Sequence, residues 1–176
     1  MRYAKINSID VSNGRGLGVA LFVQGCERRC KNCFNQETWD YAGGKEWNEE
    51  IKTKFFELIS DYMINRVSIL GGEPLSLPNR KEVTSLVKEI KEKFPNKEIW
   101  IYTGYKYEEI SFLEDILNYT DVLVDGEYIE ELKDYKLKYR GSSNQRVILV
   151  QETLKAEKYL DYDKNIIVML DTENEF

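Results

Sequence analysis

The sequence predicts an α/β fold, and three observations support this prediction. First, short apolar runs of strand length, such as residues 19–23, alternate with longer stretches that carry apolar residues at helical spacing, such as residues 48–63. Second, turn-forming glycines follow several of the short runs. Third, 176 residues with 42% hydrophobic side chains suit one compact core. We therefore expect a single domain over residues 1–176, with parallel strands joined by helices in right-handed crossovers.

The predicted elements alternate along the whole chain. Strands are expected at residues 3–9, 19–23, 66–70, 98–102, 121–124, 146–150 and 166–170. Helices are expected at residues 48–63, 107–117 and 153–160, and from Asn79 to just before Pro95. Asn79 and Glu82 have the spacing of a capping box at the start of that helix.

Four segments with chemically useful residues each follow a predicted strand. Ligands bind at the carboxyl ends of parallel strands, so we expect these segments to gather at one edge of the sheet. The four segments are the cysteine loop at 25–39, Gly71-Gly72-Glu73, Thr103-Gly104-Tyr105 and Asp125-Gly126.

Charge and hydropathy argue against two classes of partner. The formal net charge is −6, and Lys and Arg alternate with Asp and Glu along the predicted helices. A nucleic-acid groove needs a positive stripe, so nucleic acid is not expected as a partner. The longest early apolar run, residues 19–23, is too short to span a bilayer, and no signal peptide precedes it. We expect a soluble, cytoplasmic protein with no membrane partner.

The cysteines are the most informative residues of the chain. All three, Cys26, Cys30 and Cys33, lie on one short loop with the spacing C-x3-C-x2-C, and the chain contains no His. An odd number of thiols on one loop is a poor disulfide framework, and it fits a reducing compartment and metal ligation better. Thiolates suit iron–sulfur centres, and a cubane [4Fe–4S] cluster with three protein ligands keeps one iron open for chemistry.

Three other interpretations of the cysteines remain open at this point. They could be free thiols with no shared ligand. They could bind structural zinc with a carboxylate as fourth ligand, although structural zinc strongly prefers four Cys or His ligands. They could also belong to an electron-transfer module, which normally supplies its own fourth cysteine.

The cysteine spacing and five sequence segments resemble one family. C-x3-C-x2-C is the signature spacing of radical S-adenosylmethionine enzymes, and the chain is similar over most of its length to activating proteins of anaerobic (class III) ribonucleoside-triphosphate reductases. The similar segments are LFVQGC at 21–26, GGEPL at 71–75, WIYTGY at 100–105, DVLVDG at 121–126 and YRGSSNQR at 139–146. Many superfamily members carry an aromatic residue before the third cysteine, whereas this chain has Asn32 there and Phe34 after Cys33.

The resemblance implies a partial, open βα barrel of the radical S-adenosylmethionine type, and it implies a mechanism. Cys26, Cys30 and Cys33 would bind a [4Fe–4S] cluster that cleaves S-adenosylmethionine reductively, so that a glycyl radical forms on the partner reductase. An external one-electron reductant such as flavodoxin is implied as well. Other members of the superfamily remain alternatives, such as a pyruvate formate-lyase activating enzyme or a deazapurine synthase.

The resemblance also assigns individual residues to the cofactor. Gly71, Gly72 and Glu73 would hold the amino group of its methionine moiety, although a plain strand-to-helix turn would look similar. Asn32, Cys33 and Phe34 would flank the adenosyl part, and Thr103 would donate a hydrogen bond to the cofactor or simply belong to a tight turn. Whether residues 140–146 contact cofactor, partner or only their own fold stays open, because Gly-Ser-Ser-Asn is also a turn composition.

Overall fold

The computed structural model describes residues 1–159 and 166–169, which form one seven-stranded sheet with helices. The strands are β1 Arg2–Asp10, β2 Gly18–Val23, β3 Lys45–Glu46, β4 Arg66–Gly71, β5 Glu98–Tyr102, β6 Val122–Asp125 and β7 Arg146–Leu149. The helices are α1 Glu49–Ser60, α2 Leu77–Lys93, α3 Tyr107–Ile110, α4 Glu114–Leu117 and α5 Val150–Tyr159. The α/β class is therefore confirmed.

Four central strands are parallel, as the sequence predicts, but the flanking strands are not. The sheet is open, with the order β3-β1-β2-β4-β5-β6-β7. β2, β4, β5 and β6 pair in parallel, whereas β1 and β3 on one side and β7 on the other pair antiparallel to their neighbours. Only residues 11–17 join β1 to β2, and a parallel crossover needs about a dozen residues or more. The expected parallel strands therefore form the centre of an open sheet, and antiparallel strands extend it at both flanks.

The two long helices begin in different ways. α1 has the N-cap Asn48, whose side-chain oxygen accepts a hydrogen bond from the backbone N–H of Ile51 at 3.0 Å. α2 begins at Leu77, with Pro78 in its first turn. Asn79 is buried inside that turn and donates to two carbonyl oxygens of the site region instead of capping the helix, so the predicted capping box with Glu82 is wrong.

Two further boundaries differ from the predictions. The single helix expected at 107–117 is split into α3 and α4, because Leu113 adopts a non-helical conformation between them. α5 follows β7 directly, so the strand expected at 146–150 ends earlier and the helix expected from Thr153 begins earlier. Of the last predicted strand, Val168 forms an antiparallel bridge to Ile148, while Leu170 lies outside the described residues, as does Leu160 of the predicted helix.

The two faces of the sheet have different coverings. One face packs against the five α-helices in the main hydrophobic core, which includes Phe55 and Ile59 of α1 and Leu86 and Ile90 of α2. The other face carries two smaller apolar clusters, built mainly from strand residues and supplemented by Met169 and Tyr139. This second face, together with the carboxyl ends of the parallel strands, leaves room for a ligand. In the part of the chain that the structure describes, no helix has the length and apolar character needed to cross a bilayer.

A buried ion pair closes the opposite end of the second face. The guanidinium of Arg66 is fully buried and lies 2.8 Å from the carboxylate of Asp10. The same guanidinium donates to the carbonyl oxygens of Asn13 and Arg15 at 2.8 and 3.1 Å, which folds the β1–β2 connection over the start of β4. The charge is thus paired and hydrogen-bonded, as burial requires. The open end of this face is the edge where the parallel strands finish.

Candidate active site

A cavity of about 430 Å³ lies at the carboxyl ends of the parallel strands. This is the edge where the sequence predicts a site. Eight of the nine predicted site residues line the cavity, and Asn32 does not. The eight are Cys26, Cys30, Cys33, Phe34, Gly71, Gly72, Glu73 and Thr103.

Cys26 is positioned by the two residues that follow β2. Gln24 is buried, and its side-chain amide donates to the carbonyl oxygens of Glu37 and Asp40 at 3.1 and 2.8 Å. The backbone N–H groups of Gly25 and Cys26 donate to Thr38 and Trp39 at 2.7 and 3.0 Å. The residues after the cysteines therefore fold back to fix the strand end that carries the first thiol.

Gly25 is the point at which this packing excludes a side chain. Its φ of 99° lies in the left-handed region, and a Cβ atom there would overlap the ring of Tyr41. Both the backbone conformation and the space therefore require glycine before Cys26.

The other two thiols lie on a tight turn. The backbone N–H of Cys33 donates to the carbonyl of Cys30 at 3.1 Å, and the N–H of Asn35 donates to the sulfur of Cys33 at 3.4 Å. Asn32, between them, has a φ of 52° and does not line the cavity. Burial raises the pKa of the Cys26 thiol, and burial together with the nearby Glu127 carboxylate raises that of Cys30 to about 11. Both thiols must therefore release protons when they bind a metal.

The donor set fits an iron–sulfur cluster with one open position. Three thiolates are soft ligands of the kind that iron–sulfur clusters use, and they line one cavity. Among the described residues, no group of three or more His, Cys, Asp or Glu side chains is arranged closely enough to hold a metal ion.

Glu73 is a buried carboxylate at the end of β4. It accepts hydrogen bonds from the hydroxyl of Thr103 at 2.7 Å and from the backbone N–H groups of Gly104 and Leu75 at 2.8 and 3.0 Å. Burial raises the pKa of Glu73 to about 7, although these hydrogen bonds and Arg28 act in the opposite direction. The cavity therefore holds a carboxyl group that titrates near neutral pH and is fixed in one orientation.

Thr103 orients the carboxylate of Glu73 in this arrangement. Its hydroxyl hydrogen is donated to the Glu73 carboxylate, and its oxygen accepts from the backbone N–H of Tyr105 at 3.1 Å. A hydroxyl has one hydrogen to donate. The geometry thus gives Thr103 a positioning role, and the predicted donation to a cofactor has no free hydrogen available.

The glycine pair after β4 allows two strand ends to approach each other. Gly71 has a φ of 102°, and a Cβ atom on Gly72 would clash with the carbonyl oxygen of Gly25. That carbonyl accepts a hydrogen bond from the N–H of Glu73 at 2.8 Å. These glycines allow the loop after β4 to approach the loop after β2 closely. Glu73 therefore lies beside the cysteine loop.

Arg28 is the site residue that the sequence analysis missed. It lies between Cys26 and Cys30, and its guanidinium stacks on the ring of Tyr105, 4.2 Å from the ring centroid. Its nitrogens lie 3.9–4.0 Å from the carboxylates of Glu73, Glu109 and Glu127. The available signal was the Arg28-Arg29 pair inside the cysteine loop of an acidic chain.

A long connection between β6 and β7 covers one side of the cavity and contacts the cysteine loop. The exposed Asn32 side chain hydrogen-bonds to Glu130, and Lys31 pairs with Glu130 and Glu131 at 3.2 and 3.1 Å. Asn32 therefore connects two loops, and its expected place beside an adenosyl group has no support in this geometry.

Phe34 lines the cavity although its side chain is 59% exposed. Its ring centroid lies 5.2 Å from that of Tyr128, and the ammonium of Lys133 lies 5.1 Å from the same ring. Phe34 thus presents an aromatic face at the cavity mouth that a flat ligand group could contact.

The segment at 140–146 ties the β6–β7 connection to the sheet. Gln145 accepts from the N–H groups of Gly141 and Ser142 at 2.9 and 3.1 Å and donates to Gly126 at 2.9 Å. Arg146 pairs with the buried Asp125 and with Glu108. Arg140, Gly141 and Gln145 also line the cavity, so this segment supports the fold and faces the site.

Comparison with known families places this site among iron–sulfur proteins. The chain matches the family described as "4Fe-4S single cluster domain" over residues 12–148, which includes all three cysteines.

Several curated proteins are similar over nearly their whole length. One from Enterobacteria phage T4 is 41% identical over 147 residues, covering 84% of this chain and 93% of the relative. One from Vibrio cholerae is 40% identical over 148 residues, covering 82% and 96%, and one from Escherichia coli K12 is 36% identical over 150 residues, covering 84% and 97%. All three bear the name "Anaerobic ribonucleoside-triphosphate reductase-activating protein".

Proposed function

Because this chain belongs to the family of anaerobic ribonucleoside-triphosphate reductase-activating proteins, we propose that it generates a glycyl radical on such a reductase. The observation that carries the proposal is the meeting of three cysteines and one buried carboxylate, Glu73, in a single cavity. Cys26, Cys30 and Cys33 would hold a [4Fe–4S] cluster and leave one iron without a protein ligand.

The cofactors would supply the difficult chemistry. Held by Cys26, Cys30, Cys33 and Glu73, the cluster and S-adenosylmethionine would supply one-electron reductive cleavage of the sulfonium, with release of methionine, and abstraction of a hydrogen atom from a glycine of the reductase. The chain itself needs no general acid or base for this chemistry, which agrees with a sequence that has no His.

The residues of the chain would bind and orient S-adenosylmethionine. Glu73 faces the cavity with an orientation set by Thr103 and Gly104, so its ionised form can accept a hydrogen bond from the ammonium of the methionine moiety. Phe34 would contact the adenosyl part through its exposed ring, together with the backbone at Cys33. The half-covered cavity leaves one side open, where a glycine-containing segment of the partner could enter.

Four finer features form part of the same proposal. The open sheet would be the partial βα barrel of this superfamily, with residues 1–176 forming one domain. The chain would act in the cytoplasm. Its electron would come from an external reductant of the flavodoxin class.

An anaerobic assay tests the proposed function. The reconstituted protein is reduced with dithionite and given S-adenosylmethionine, and 5′-deoxyadenosine is measured with and without the reductase. We expect cofactor cleavage, a glycyl radical signal in electron paramagnetic resonance when the reductase is present, and loss of cleavage in Cys26→Ala, Cys30→Ala and Cys33→Ala. Cleavage without any radical on the reductase would contradict the proposed partner. Zinc without iron or sulfide in the purified protein would contradict the cluster.

A further inference from the structure

Arg28 and Glu73 form an oppositely charged pair inside the cavity. The Nε atom of Arg28 lies 4.0 Å from a carboxylate oxygen of Glu73, and both residues line the cavity beside the cysteines. The Arg28 side chain is only 20% exposed. The pair therefore presents a fixed positive and a fixed negative group at neighbouring points of one wall.

Arg28 retains hydrogen-bonding capacity in this position. The three carboxylates around it stand 3.9–4.0 Å away, which is too long for hydrogen bonds. Its Nε atom is buried, and among the described residues it has no hydrogen-bond partner. Stacking on Tyr105 and long-range attraction hold the guanidinium in place without using these donors. A buried donor without a partner is unfavourable, so a ligand that supplies an acceptor gains free energy by binding here.

Glu73 retains capacity to accept a hydrogen bond. Its two oxygens already accept three hydrogen bonds, from Thr103, Gly104 and Leu75. An ionised carboxylate has about four acceptor positions, so roughly one remains. One free acceptor next to free guanidinium donors matches the ammonium and carboxylate of an α-amino acid group.

We propose that Arg28 binds the carboxylate of the methionine moiety of S-adenosylmethionine while Glu73 binds its ammonium group. This inference rests on the proposed function, because it concerns the same cofactor. Arg28 then selects for the amino acid end of the ligand, and it does so with a planar group suited to a carboxylate. A carboxylate has two oxygens, so a hydrogen bond from Arg28 is compatible with metal ligation through the other oxygen.

The experiment compares two ligands in four proteins. Equilibrium binding of S-adenosylmethionine and of its decarboxylated analogue is measured on the anaerobically reconstituted wild type, Arg28→Gln and Arg28→Lys, with iron content recorded for each. Arg29→Gln is the matched control, because it removes the same charge from the same loop at a residue that is exposed. We expect Arg28→Gln to weaken S-adenosylmethionine binding by about tenfold or more and to change binding of the analogue by less than about twofold. Arg28→Lys should retain part of the affinity, and Arg29→Gln all of it.

The two ligands separate a direct contact from an indirect effect. Loss of Arg28 also changes the electrostatic potential at Glu73 and at the ammonium group, but this effect acts on both ligands alike. Equal weakening of both ligands, or no weakening of either, would overturn the proposal. If Arg28→Gln fails to load iron, Arg28→Lys decides by the same comparison. A wild type that activates the reductase but binds both ligands equally would refute the role of Arg28 and leave the proposed function intact. A loaded wild type that binds neither ligand would refute both.

Discussion

The carboxyl group of Glu73 has a higher pKa than an ordinary glutamate because it is buried. Burial raises the pKa of Glu73 from 4.5 to about 7. Between these two pH values the folded protein keeps a proton that the unfolded chain has released. The contribution to stability is therefore complete below about pH 4.5 and is lost as the pH rises towards 7.

A Glu73→Gln variant lacks this titration. Between pH 5 and pH 8 we expect the wild type to lose about 2 kcal/mol of unfolding free energy relative to the variant, in order-of-magnitude terms. The measurement is urea denaturation of both proteins without cluster, under anaerobic reducing conditions, since the thiols then contribute equally. If the free energies of unfolding of the two proteins changed equally with pH, Glu73 would have an ordinary pKa.

Sequence reasoning located most of the residues that meet in the cavity, but not how they contact each other. The cysteines, Glu73 and Thr103 could be found because their segments follow predicted strands. Arg28 was missed because its significance comes from Glu73 and Tyr105, which are distant in sequence. Asn32 was expected in the site because of its neighbours, whereas its side chain donates a hydrogen bond to Glu130, which is distant in sequence.

At the scale of elements, helix α2 contributes directly to the site. The amide of Asn79 donates to the carbonyl oxygens of Gln24 and Glu73 at 2.9 and 3.1 Å, so the first turn of the helix fixes both loops that border the cavity. The sequence pattern suggested an ordinary cap because the true partners lie outside the helix.

An Asn79→Ala substitution tests this role of α2. It leaves two carbonyl oxygens without this donor, so we expect a loss of about 1–3 kcal/mol in unfolding free energy. Glu82→Ala is the control and should change stability by less than about 0.5 kcal/mol, because its predicted capping partner is engaged elsewhere. Similar losses in both variants, measured by urea denaturation, would instead support a capping box.

The ends of β6 and β7 are joined by a buried charge. Asp125 is 1% exposed and receives hydrogen bonds from Arg146 and from the backbone N–H of Tyr107 at 2.8 Å. Arg146→Gln removes the positive partner of this buried carboxylate, so we expect a loss of about 3 kcal/mol or more in unfolding free energy.

Arg15→Gln is the control for Arg146→Gln. The ion pair of Arg15 with Glu98 is partly exposed, and its loss should cost about 1 kcal/mol or less. The free energies of unfolding of both variants are measured by thermal or urea denaturation. Equal losses in the two variants would contradict a special role for the buried Asp125.

At the scale of the whole molecule, the local patterns predicted the elements better than their directions. The four parallel strands follow from the alternation of strands and helices, which the sequence shows directly. The antiparallel pairing of β1 with β2 depends on connection length, because residues 11–17 are too few for a crossover, whereas the antiparallel pairing of β7 follows a long connection and has no such sequence signal. The resulting open sheet keeps helices on one face and a cavity at the edge of the other, which leaves the proposed cofactor accessible to a large protein partner.

The central claim is that this protein causes a hydrogen atom to be removed from a glycine of the reductase. The most direct measurement uses reductase prepared with glycine deuterated at the α-carbon, incubated anaerobically with the loaded activating protein, reductant and S-adenosylmethionine. We expect deuterium in the 5′-deoxyadenosine and a glycyl radical signal on the reductase in matching amounts. Unlabelled 5′-deoxyadenosine with no radical on the reductase would contradict the account.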